Sequence, residues 1–179
     1  MFEIDNTVFV LVDVQGKLAQ MAYEKDLLFD NLQRLVKGMQ ILKIPIIWTE
    51  QNPEKMGPTI PELRDLLKPS KPLAKMSFSC LGSEAFKALL EKLRREQVVL
   101  AGIETHVCIY QTALELVQKE YHVEVVADAV SSRTAANKAI GLEKIRVCGA
   151  HVTSVETLLF RLLRTAEHPA FRDILAVVK

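Results

Sequence analysis

A chain of 179 residues with 49% hydrophobic and 25% charged side chains has the composition of an ordinary folded protein, and its length fits one domain spanning residues 1–179. With 23 basic against 22 acidic residues the net charge is +1, so no broad field draws it to nucleic acid or to an anionic membrane. Three cysteines, Cys80, Cys108 and Cys148, form no close pair, which argues against a disulfide framework and for a reducing compartment.

The opening "MFEIDNTVFVLVDVQGK" has early acids and no charged-then-apolar leader, so a cytoplasmic location is expected. No apolar run approaches the roughly 18 residues of a membrane span. "TVFVLVDV" (7–14) reads as a strand buried on both faces. Leu28, Leu32, Leu35, Val36, Met39 and Leu42 recur at helical spacing over 26–42. "IPIIWTE" (44–50) is a second strand, and "TIPELRDLL" (59–67) a short helix capped by Thr59, with Pro61 in its first turn. An extended stretch, 68–79, precedes the amphipathic helix 83–96, whose Lys92, Arg94 and Arg95 read as its solvated end.

Next come the strand "QVVLAG" (97–102), a helix over about 105–120, the strand "HVEVVADA" (122–129) and a helix over 134–150 ending near Gly149. A short strand at 151, a helix capped by Ser154 and a last short helix complete the chain. Strands alternating with helices predict a three-layer α/β/α sandwich, its six parallel strands in the order 3-2-1-4-5-6. In that order the switch point lies between the first and fourth strands. Ligands bind there, outside the carboxyl ends, so "VDVQG" and "GIETHVC" should flank a crevice.

Asp13 ends an apolar strand, where it reads either as a functional carboxylate or as the cap of the next turn. Cys108 follows a strand, a glycine and a loop, and enters a helix whose dipole would stabilise a thiolate. The blander reading is a buried, inert thiol. His106 lies only two residues away and faces elsewhere on a helix, so Asp13 is the better base for Cys108. Lys75, after Pro72, Leu73 and Ala74, reads as a surface lysine unless the fold brings it to those anions. No two histidines stand at ligand spacing on one element, and no glycine-rich phosphate loop occurs. No metal and no cofactor is therefore expected.

Asp13 in "LVDVQ", Lys75 in "AKMSFS" and Cys108 in "GIETHVCIYQTA", with "VVADAVSSRT" beyond, resemble the isochorismatase-like cysteine hydrolase superfamily over almost the whole chain. The resemblance implies an Asp-Lys-Cys triad and a cis peptide between Ile103 and Glu104 that aims the Glu104 and Cys108 N–H groups at an oxyanion. "WTEQNPEKMG" lacks the aspartate–histidine metal motif of nicotinamidases, and Cys108 is absent from enzymes that hydrolyse isochorismate. A metal-free subgroup is thus the nearest likeness. The expected activity is hydrolysis of a small amide, carbamoyl or related C–N substrate through a thioester, by a homo-oligomer. Trp48, Gln51, Met56, Phe78 and Tyr110 are candidate pocket residues. A non-catalytic oligomeric protein on the same fold is the alternative, and a redox-responsive thiol at Cys108 a third reading.

Overall fold

The computed structural model describes residues 2–179. Its six strands are β1 (Thr7–Val12), β2 (Ile46–Gln51), β3 (Leu73–Lys75), β4 (Gln97–Ile103), β5 (His122–Ser131) and β6 (His151–Thr153). They form one sheet in the order β3-β2-β1-β4-β5-β6, and every pair is parallel. The expected topology is present. The helices are α1 (Gly16–Gln20), α2 (Lys25–Ile41), α3 (Pro53–Met56), α4 (Pro61–Leu67), α5 (Glu84–Leu93), α6 (Tyr110–Gln118), α7 (Ala135–Val147), α8 (Val155–Leu163) and α9 (Phe171–Val178).

Every residue of β1 and β4 is buried, because helices cover both faces. Alternation along β1 sends Phe9 and Leu11 into a core with α2, α4, α8 and α9, and Val8, Val10 and Val12 into a second core with α5 and α6. Gly102 of β4 pairs with Val12 of β1. A Cβ there would lie 2.1 Å from Val12 O, and its φ of +128° is one that side chains disfavour.

Four local expectations need correction. Thr59 does not cap α4; its N–H and hydroxyl both donate to the buried Glu50 carboxylate, at 2.7 and 2.8 Å, and Ile60 occupies the cap position before Pro61. The segment after β4 is not one helix: Thr105–Ile109 form a π turn and α6 starts only at Tyr110. The Ile103–Glu104 peptide is trans, since the cis bond among the described residues is Lys68–Pro69. Glu104 turns the chain with φ −51° and ψ 111°, and a trans bond is favoured for a non-proline residue by about 3 kcal/mol. Arg95 is not simply solvated, because one guanidinium nitrogen donates to Ile4 O and Thr7 O, each at 2.7 Å. Ser154 caps its helix as expected, accepting from Thr157 N, and Ser83, expected inside its helix, instead caps it by accepting from Phe86 N.

Candidate active site

The chain leaves β1 through Asp13, whose backbone is left-handed with φ 55°, a conformation aspartate tolerates better than most residues. Its carboxylate caps no turn. Oδ1 accepts from the Thr49 hydroxyl at 2.8 Å and Oδ2 from the Lys75 ammonium at 2.6 Å. Both side chains are withdrawn from water, Lys75 at 0% and Asp13 at 3% exposure. Lys75 is therefore not a surface lysine.

Strand parity explains the meeting. Gln51 of β2 pairs with Lys75 of β3, and residues two apart share a sheet face, so Thr49, Gln51 and Lys75 lie on one side. Lys75 Nζ also donates to Gln51 Oε1 at 2.9 Å and to the carbonyls of Ser77 and Phe78 at 3.0 and 3.1 Å. Such a cage satisfies an ammonium's hydrogens, and a buried ion pair persists only when its remaining polar groups are satisfied in this way.

Cys108 stands in the π turn, 7% exposed. Here the Glu104 carbonyl accepts from Val107 N at 3.0 Å and Ile109 N at 3.3 Å. π-Helical turns of this kind often occur at functional sites. Gly141 of α7 makes room for it, since a Cβ there would come within 2.6 Å of His106 N. Burial pushes the Cys108 thiol up to about 12; the Asp13 charge and a hydrogen bond with Asp13 add to the rise, and Lys75 opposes it. The thiolate expected from the helix entry is thus corrected to a thiol. The desolvation and the neighbouring carboxylate outweigh the backbone field.

Over these groups opens a cleft of about 410 Å³. Asp13, Cys108, Gln51 and Glu104 contribute its polar wall, and Leu18, Met56, Phe78, Ile103 and Val107 its apolar one. Of the candidate pocket residues, Gln51, Met56 and Phe78 line this cleft. Trp48 and Tyr110 do not. Trp48 has the opposite parity to Thr49, lies in the first core and donates from Nε1 to Ser70 Oγ at 3.0 Å. Tyr110 turns away from the cleft, against the second core and beneath Lys144.

Sequence reasoning missed Gln15, which is fully buried. Its Oε1 accepts from Gln51 N at 2.6 Å, and its Nε2 donates to Gln51 O at 3.0 Å and Gly57 O at 2.7 Å. One amide thus ties the loop after β1 to the end of β2 and to the residue that follows α3. The spacing in "DVQ", two residues past Asp13, was the available signal. Also missed was Arg133, whose Nε and backbone N–H both reach Glu104 Oε1 at 3.3 Å. His106, set aside as a partner for Cys108, bonds Ser132 Oγ through Nδ1 at 3.0 Å and faces Glu104 at 3.5 Å.

Cys80 lies close by, fully buried, with Sγ 3.9 Å from the Thr49 hydroxyl. Burial raises its thiol to about 11, with Lys75 opposing. Two thiols raised in the folded state bind protons that the unfolded chain releases from about pH 8.5 upward. Their stabilising contribution is complete below that pH and is lost as pH rises toward the folded values. Urea titrations from pH 8 to 10.5 should show falling stability, with a shallower fall in Cys80→Ala. Equal slopes in both chains would refute the buried-thiol origin. Cys148 is only half-buried, its thiol directed at Ile145 O at 3.1 Å.

Among the described residues no group of three or more His, Cys, Asp or Glu side chains is placed to hold a metal ion, and no helix is long and apolar enough to cross a membrane. The fold and cleft define a doubly wound α/β protein with a buried carboxylate, ammonium and thiol at its switch point. Residues 7–157 match the isochorismatase domain. The chain is 36% identical over 178 residues to the secreted isochorismatase effector Isc1 of Phytophthora sojae, covering 97% of this chain and 85% of that protein. It is 36% identical over 168 residues to isochorismatase domain-containing protein 2 of Danio rerio, covering 94% and 84%. The MAR1 ribonuclease of Caenorhabditis elegans superposes with a TM-score of 0.92 at 30% identity, over 99% of this chain and 91% of that one. The Escherichia coli YcaC gene product, an octameric hydrolase of unknown specificity, shares the fold with a TM-score of 0.88 at 21% identity, over 99% and 95%. The chain belongs to the isochorismatase family.

Proposed function

We propose that this protein is a cysteine hydrolase of a small amide, carbamoyl or related C–N compound. The buried Lys75–Asp13 pair at the foot of a cleft that also exposes Cys108 carries the reading. Asp13 takes the proton of the thiol as sulfur attacks the carbonyl carbon, and a tetrahedral oxyanion forms. The Glu104 and Cys108 N–H groups, which the family likeness assigns to the oxyanion, would receive it here from a trans rather than a cis backbone. Collapse breaks the C–N bond, and protonated Asp13 returns its proton to the departing nitrogen. The thioester is then cleaved by water, which Asp13 deprotonates. Lys75 keeps the carboxylate oriented and balances its charge.

A thiol held as thiol by burial suits this division of labour, because the base acts only when a substrate is in place. A nucleolytic activity, which the name of the nematode relative carries, receives less support from a near-neutral chain and an apolar-walled cleft. We place the protein in the cytoplasm as a homo-oligomer. Its three free cysteines support the first, and the exposed side chains of Met21, Leu27, Ile140 and Val147 the second.

Incubation with a panel of small amides and ureides, followed by intact-mass measurement, should reveal an acyl adduct on Cys108 and release of ammonia or amine. Cys108→Ala should lose both while keeping its fold. Turnover that survives in Cys108→Ala would remove the nucleophile assignment.

A further inference from the structure

We propose that Cys80 is a resolving thiol for Cys108: a peroxide entering the cleft oxidises Cys108, and Cys80 captures it as a disulfide that a dithiol can reopen. The inference needs Cys108 to be reachable and nucleophilic, but not that the protein hydrolyses a C–N bond. In the sequence neither Cys80 nor Cys148 pairs with Cys108 by spacing. The fold brings one of them to it and leaves the other aside.

A disulfide requires that its two backbones stand close together. Cys80 opens the short 3-10 turn Cys80–Gly82 beyond β3, and its N–H donates to the Thr112 hydroxyl at 3.0 Å. Thr112 lies on α6, one turn past Cys108, so the two segments touch. Both thiols belong to the second core. Their side chains are linked as well. The Thr49 hydroxyl has a single hydrogen and gives it to Asp13 Oδ1 at 2.8 Å. The Cys80 thiol, 3.9 Å away, is therefore the donor in its contact with Thr49. Cys108 bonds the same Asp13 carboxylate. One carboxylate thus serves Cys108 directly and Cys80 through a hydroxyl. After burial, the same two charges, Asp13 and Lys75, weigh most on both thiols, and Cys80 adds to the rise at Cys108, as groups a few ångströms apart do. Cys148, with its thiol directed at Ile145 O, takes no part in this network.

Exposure sets the order of events. Cys108 lines the cleft, whereas Cys80 is fully buried behind it, so a peroxide meets Cys108 first. Asp13 accepts the Cys108 proton as sulfur attacks one peroxide oxygen. The O–O bond breaks, and the departing hydroxide or alkoxide takes that proton from Asp13. Cys108 is then a sulfenic acid. Next the Cys80 proton passes to Thr49, whose own proton moves to Asp13, and the Cys80 sulfur attacks the Cys108 sulfur. The S–O bond breaks, and hydroxide leaves as water with the proton from Asp13. Two thiols and a hydroperoxide have become a disulfide, an alcohol (water, from hydrogen peroxide) and one further water. A sulfenic acid with no such thiol beside it goes on to the sulfinic acid, which thiols do not reverse. Cys80 closes the site while preserving its nucleophile.

Brief treatment of the folded chain with hydrogen peroxide tests this, followed by N-ethylmaleimide to block free thiols and digestion without reductant. Mass spectrometry should find the Cys80 and Cys108 peptides joined, in a chain that runs as a monomer on a non-reducing gel. Dithiothreitol should then return alkylation of Cys108 nearly to its untreated level. In Cys80→Ala the link is absent, dimedone should trap the Cys108 sulfenic acid, and the alkylation recovered after dithiothreitol should fall severalfold. Cys148→Ala should behave as the unaltered chain. The joined peptides are read in the unaltered chain, so the test stands even where Cys80→Ala folds poorly. Cys108 carried to the sulfinic acid while Cys80 stays free overturns the inference. A link from Cys108 to Cys148 overturns it too, as does a Cys108 that peroxide leaves unchanged. None of these results touches the acyl adduct expected on untreated Cys108, so this inference and the hydrolase reading fail separately.

Discussion

Lys75→Met is expected to lower the stability of the protein by about 3–5 kcal/mol, the usual effect of removing one partner of a buried ion pair. The side chains are nearly isosteric, so little of the loss can come from packing. It comes from Asp13, which keeps Thr49 as a partner but loses its cation at 3% exposure. The vacated cage compounds this, because Gln51 Oε1 and the Ser77 and Phe78 carbonyls lose their donor. Urea denaturation at neutral pH measures the loss. Asp13→Asn should cost less than Lys75→Met, since the ammonium retains three oxygens. A loss under about 1 kcal/mol for Lys75→Met would be the value of a surface pair, and would mean that the pair is hydrated rather than sealed.

The elements that reached the sequence as long apolar runs were legible, and those made by contacts between distant residues were not. β1 and β4 show themselves because strands covered on both faces need unbroken apolar runs. With the alternation of strands and helices along the chain they give the strand order, hence the switch point and the neighbourhood of Asp13 and Cys108. The helices α1 and α3, of five and four residues, carry no period to detect. α3 instead depends on the left-handed Asn52 and on Gln15, 36 residues away from Gln51. The π turn is hidden for another reason: "THVCIYQTA" fits a helical period, and the room for its wider backbone is set by Gly141 on α7. Trp48 and Gln51 show the limit of pattern reading in β2. Residues 47–50 are all buried, so no alternation reveals which of them face the cleft. For Lys75 the residues themselves allowed a surface position, and it was the family likeness that drew it to Asp13. The ion pair at 2.6 Å supplies the physical basis for that.

Asp13→Asn is expected to slow alkylation of Cys108 by iodoacetamide at pH 7 by about 100-fold or more, the lower range for loss of a positioned general base. Two effects of opposite sign act in this variant, and the pH profile separates them. Loss of the carboxylate removes the acceptor of the thiol proton, which slows reaction near neutrality. It also removes the negative charge and the hydrogen bond that hold the thiol up beyond its burial, so the variant's thiol ionises at lower pH than the wild-type thiol at about 12. The variant's rate should therefore rise about tenfold per pH unit and approach that of the wild type on the alkaline side, whereas the wild type should vary little across neutrality. A wild-type rate that also climbs about tenfold per unit would show Cys108 reacting through its own ionisation, with Asp13 a structural neighbour. In that case the buried pair would be explained by the cage around Lys75 alone, and the alignment of thiol, carboxylate and ammonium at the switch point would carry no catalytic meaning.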